Sequence, residues 1–129
     1  MSFKRKPPPD ARKFEIGTHP YQDIYGFREA LGMLHEIGMK RVEKRIMELT
    51  DQLLGYLMRS PYKVKSSLDP GHRSGIVSFT GRRDEALMQA LEDEKIVASY
   101  REGGVRVSPH FYNNEEEMDR LIAVLKKEA

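Results

Sequence analysis

The chain has no cysteine among its 129 residues. That excludes a disulfide scaffold, a thiolate zinc site and a cysteine nucleophile. Long apolar runs are also missing. None approaches the ~20 residues a helix needs to span a bilayer, so a transmembrane helix is excluded. No secretory signal is visible: Pro7 to Asp10 stand where an apolar stretch would have to follow the basic Met1 to Lys6. The cytoplasm is the expected compartment. A strong charge of one sign is lacking too, with 22 Lys and Arg against 20 Asp and Glu, a net charge of +2. The isoelectric point of 8.8 therefore reflects a small, mixed excess. The basic clusters Lys4-Arg5-Lys6, Arg82-Arg83 and Lys126-Lys127 are short, and the last two have acidic neighbours. Nucleic-acid binders carry a concentrated basic stripe, so neither nucleic acid nor a membrane is an expected partner. No GxxxxGK[ST] loop occurs, and no GxGxxG opens a helix. His19, His35, His72 and His110 show no paired helical spacing and no HExxH, and no metal site is expected.

What is present suits one domain. A chain of this length can bury roughly two thirds of its unfolded surface. With 39% hydrophobic and 33% charged residues, it reads as globular and somewhat polar. Residues 1–13, with three consecutive prolines, read as a flexible leader, and residues 14–129 as the domain.

Ile24, Phe27, Leu31, Leu34 and Ile37 step by three or four, predicting a helix over 23–37 that Gly38 closes. Val42, Ile46, Leu49, Leu53 and Leu57 predict a second helix over 40–58. Strands are predicted over 62–66, 75–80, 96–100 and 105–108, with Gly103-Gly104 as the hairpin turn between the last two. Asp84 is a predicted N-cap for a helix to about Glu94. Asn114 with Glu117 predicts a capping box, opening a last helix to about Lys127. The order α-α-β-β-α-β-β-α with hairpin-linked strands predicts an α+β fold, a mainly antiparallel sheet of about four strands covered by helices.

Two stretches carry more specific residue types than loops need: Phe14-Glu15-Ile16-Gly17-Thr18 and Gly104 to Asn113. In the second, Arg106 alternates with Val105 and Val107 and so points to the opposite sheet face. A mid-strand arginine is costly to desolvate unless an anion meets it. That anion is either an internal Asp or Glu, the commoner arrangement, or a ligand whose carboxylate the planar guanidinium fork can grip.

RKFEIGT, GFREALGMLHEIGMKRVEKRI and GGVRVSPHFYNNEEEMDRLIAVL together resemble the C-terminal domain of class V aminotransferases. These are fold type I pyridoxal-phosphate enzymes, a superfamily that includes cysteine desulfurases, isopenicillin N epimerase-like proteins and kynureninase-like enzymes. The resemblance covers about residues 11–128. Its most specific parts are F-E-x-G-T at 14–18 and R-x-S-x-x-x-Y-N at 106–113. It implies the small C-terminal domain of that fold. Arg106 would bind the substrate's α-carboxylate, and Gly17 and Thr18 would reach across a homodimer to the cofactor phosphate.

Two departures qualify what is implied. The family's cofactor lysine lies on a large domain well before F-E-x-G-T, whereas 13 residues precede Phe14 here. The expectation is a chain without the large pyridoxal-phosphate-binding domain. Such a chain is catalytically silent alone and binds no cofactor itself. Pyridoxal 5'-phosphate, an amino-acid substrate and the large domain would belong to the full-length parent. Residues 11–26 would then have lost the partners that hold them. Desulfurases also keep a nucleophilic cysteine in this domain. Its absence points to transamination, lyase or epimerase chemistry rather than desulfuration. The alternative is a free-standing, non-catalytic binding module of the same fold.

Overall fold

The computed structural model describes residues 6, 8–15 and 17–129. It divides into two compact units, one up to Glu36 and one from Ile37 onward. The leader expected over 1–13 lies partly outside the described residues. Its end forms a 3-10 turn, Ala11–Phe14, in which the Asp10 carboxylate accepts from the Arg12 backbone N–H. The first unit then holds nearly all of α1, Tyr21–Ile37. The predicted apolar stripe is there, but this helix buries none of its residues, and Ile24, Phe27 and Leu31 are exposed. Every described residue from 11 to 26 is exposed.

The second unit is the folded layer. It runs α2 (Met39–Leu57), β1 (Lys63–Val64), β2 (Val77–Thr80), α3 (Asp84–Asp93), β3 (Ser99–Arg101), β4 (Gly104–Val107) and α4 (Glu115–Lys127). The strands form one antiparallel sheet in the order β1-β2-β4-β3. The architecture is the expected α+β layer, a four-stranded antiparallel sheet with helices.

The core follows from period-two and period-3.6 patterning. Val77 and Phe79 of β2 and Val105 and Val107 of β4 project to one face. There they meet Leu49, Leu53 and Leu57 of α2, Leu87 and Leu91 of α3, and Leu121 and Leu125 of α4. Tyr62 seals one end. Its ring meets Phe79 edge-on at 5.5 Å, and its hydroxyl donates to the Leu125 carbonyl at 3.0 Å. Burial pushes the Tyr62 phenol up to about 12.

The starts of α3 and α4 are anchored by side chains. Asn114 and Glu117 make the predicted capping box, with Glu115 to Glu117 in the first turn and Lys126 and Lys127 in the last, as the helix dipole favours. Arg83, not Asp84, occupies the N-cap position of α3. Asp84 acts from one residue further in, where its carboxylate accepts from the Gly81 N–H and the Thr80 hydroxyl, both at 2.6 Å.

All four strands are bounded differently from the sequence reading: β1 is cut to Lys63–Val64 and β2 begins at Val77 rather than 75, while the shifts of β3 and β4 have visible local causes. The hairpin turn is Glu102-Gly103, at φ 50° and 69°, so Gly104 is the first residue of β4. Two positive φ values fit the type I′ hairpin turn. Gly104 is needed for space instead: a Cβ there would stand 3.1 Å from Lys65 Cδ, the Phe79 carbonyl oxygen and Ser78 Oγ. The third strand starts at Ser99 rather than Ile96 because α3 ends in a closing motif. Lys95 takes φ 58°, and the Ile96 N–H returns to the Leu91 carbonyl. Val97 is consequently 96% exposed.

Candidate functional site

Arg106 sits at the centre of the sheet. It is paired with Ser78 on β2 and with Ser99 on β3, so the three share the face turned away from the core. The neighbours Val105 and Val107 are buried on the other face, which fixes the direction of the arginine. Among the described residues Arg106 forms no ion pair. Its Nε is buried and has no hydrogen-bond partner. Among the described residues, then, no internal carboxylate answers this mid-strand arginine.

One other buried side-chain nitrogen is left unpartnered among the described residues, His110 Nδ1. In sequence this histidine is a candidate only for a metal ligand, and its place four residues after Arg106, inside the R-x-S-x-x-x-Y-N segment, is the signal that points to it. The segment is held firmly. The His110 N–H donates to Asn113 Oδ1 at 2.8 Å, and the imidazole stacks on Tyr112 at 4.9 Å. Arg45 of α2 donates to the Asn113 carbonyl at 3.2 Å, and Asn113 Nδ2 donates to Glu117 at 3.0 Å.

Arg45 also grips both oxygens of Glu115 at 2.5 and 3.0 Å, which holds that carboxyl down at about 2. A carboxyl depressed in the folded state stabilises the fold above its unfolded value of 4.5, and that contribution is lost as pH falls toward 2. Urea midpoints should therefore drop between pH 5.5 and 2.5, and Arg45→Gln should reduce that drop. An unchanged drop in the variant would show that other carboxylates carry it.

Gly17 and Thr18 lie in the first unit, in the exposed loop before α1. A Cβ on Gly17 would meet nothing within 4 Å, and the Thr18 hydroxyl makes no hydrogen bond among the described residues. A cleft of about 780 Å³ runs along α3 and β3 past Met88, Ile96 and Val97, and Arg106, Gly17 and Thr18 do not line it. Among the described residues, no His or carboxylate cluster is arranged to hold a metal, and no helix is long and apolar enough to cross a membrane.

The pattern of the Aminotransferase class-V family matches residues 4–121. The chain belongs to the class V aminotransferase family. It is 27% identical over 112 residues to an uncharacterized aminotransferase, YcbU, of Bacillus subtilis, covering 87% of this chain and 30% of that protein. It superimposes on the apo structure of a cysteine desulfurase from Thermococcus onnurineus NA1 with a TM-score of 0.84, at 21% identity, over 91% of this chain and 33% of that one. The C-DES protein, solved with glycine covalently linked to its PLP cofactor, superimposes with a TM-score of 0.76 at 24% identity, over 88% of this chain and 31% of that one. The chain thus spans about a third of the length of the class V proteins it matches.

Pyridoxal phosphate is held in such enzymes by a lysine in a walled pocket; among the described residues no lysine is enclosed, and Lys95 lines the open cleft beside α3. Every described lysine is exposed, and Lys13 lies over the Phe14 ring on the surface.

Proposed function

We propose that this chain is the C-terminal, substrate-orienting domain of a pyridoxal-phosphate enzyme that acts on an amino acid by transamination, elimination or epimerisation. In this reading the chain is catalytically silent alone. The observation that carries it is Arg106, a strand-centre arginine with a buried, unpartnered Nε. The guanidinium fork receives the α-carboxylate through two parallel charge-assisted hydrogen bonds. Because the strand is paired on both sides, the substrate's Cα is fixed relative to the reacting centre. Gly17 and Thr18 offer a hydroxyl and loop amides to the cofactor phosphate across a homodimer. The electron-sink chemistry belongs to the cofactor, bound by the large domain.

Mixing the purified chain with pyridoxal phosphate should give no visible band of a protonated Schiff base. Borohydride reduction should then label lysines slowly and at many positions. A single lysine labelled in stoichiometric amount would refute the assignment of cofactor binding to the remainder of the enzyme.

A further inference from the structure

Arg106 is not the only cation on the open face of the sheet. Arg101 pairs with Gly104 across the β3–β4 hairpin, so it shares the face of Gly104 and Arg106. Lys65 reaches the same place from the other side. The backbone N–H groups of Lys65 and Ser66 both donate to the Ser78 carbonyl, at 2.7 and 3.2 Å. That two-to-one pairing is a bulge, which re-aims the side chain just beyond β1. The Lys65 stem then crosses toward β4, passing the bare Cα of Gly104, and its ammonium donates to the Glu102 carbonyl. Lys65 thus passes Gly104 and Arg101 is its cross-strand partner, so both residues belong to the hairpin end of β4. Among the described residues neither forms an ion pair, and neither does Arg106.

Like charges on one sheet face repel, and among the described residues no carboxylate pairs with them. Only one of the lysine's three protons is engaged, and by a neutral carbonyl. Two residues of strand, about 7 Å, separate Gly104 from Arg106. That is a spacing for two anionic groups on one small molecule, one at each cationic position. We infer that Lys65 and Arg101 form a second anion subsite, and that the amino acid placed by Arg106 carries an anionic side chain, in the manner of an acidic amino acid. This inference rests on the carboxylate-anchor reading of Arg106 and adds the substrate class. Lys65 and Arg101 bind the side-chain anion, Arg106 binds the α-carboxylate, and Gly104 leaves the lysine stem its path.

The test uses the ¹⁵N-labelled full chain, titrated with glutarate and separately with butyrate, with backbone amide shifts as the readout. Glutarate should bind at least about tenfold tighter, since its second carboxylate gains charge-assisted bonds that butyrate lacks. It should shift Lys65, Gly104 and Arg106 together. The exposed pair Lys65→Gln and Arg101→Gln, made together, should bring glutarate down to the variant's own butyrate affinity. Equal affinities with saturable shifts at Arg106 would overturn the second subsite while leaving the carboxylate anchor standing. Glutarate shifts at Lys65 and Gly104 that R106K does not weaken would support the subsite and overturn the anchor. Absence of saturable shifts with glutarate would overturn the subsite.

Discussion

Phe79→Ala should destabilise the folded layer by about 3–5 kcal/mol, the usual cost of truncating a fully buried phenylalanine. Phe79 is completely buried at the middle of the sheet, paired with Val64 and Val105 and braced edge-on by Tyr62. A cavity there cannot collapse easily. One wall is backbone already committed to two ladders, and the opposite wall is the leucine rows of three helices. Domains of this kind are stable by only about 5–15 kcal/mol, so the variant should lose a large part of its margin. Urea unfolding followed by far-ultraviolet circular dichroism measures it. A loss under about 1 kcal/mol would mean that the layers are packed less tightly at this point than the structure shows.

The second large effect concerns activity and not stability. In an intact enzyme containing this domain, Arg106→Ala should lower kcat/KM by about 3–6 kcal/mol of transition-state stabilisation, since two hydrogen bonds to a charged group are worth about 1.5–3 kcal/mol each. In the isolated chain the same change should move stability by less than about 1 kcal/mol, because it also releases a buried donor that has no partner. A purely structural arginine would show the reverse: removal would strand a carboxylate and unfold the domain. Comparing the two measurements on one variant separates the roles.

Much of this was legible from residue types and spacing. The α2 stripe, the α4 capping box and the alternation that places Arg106 opposite Val105 and Val107 are local patterns, and local hydrogen bonds or side-chain periods produce them. The misplaced features depend on less local facts. Lys95 carries no sign that it adopts a left-handed conformation, yet that conformation ends α3 and delays β3 to Ser99. Gly103-Gly104 looks like a turn by itself. The structure places the turn at Glu102-Gly103, and the second glycine serves a distant contact instead: a Cβ there would crowd Lys65, Ser78 and the Phe79 carbonyl. The α1 stripe shows a face suited to burial without specifying what would bury it, and within this chain the helix buries none of its residues. For Arg106, composition allowed either an internal ion pair or a ligand. Only the arrangement of the whole sheet shows that no carboxylate meets it among the described residues.

The most direct test of the account is the Nε–H resonance of Arg106 in the ¹⁵N-labelled chain, followed as acetate is added. Arg106→Lys identifies the peak by its disappearance. The account predicts a saturable downfield shift of this resonance, as a carboxylate takes up the unpartnered donor. A resonance already shifted downfield and insensitive to acetate would mean that Arg106 is satisfied within the fold, and the carboxylate-anchor reading would be wrong.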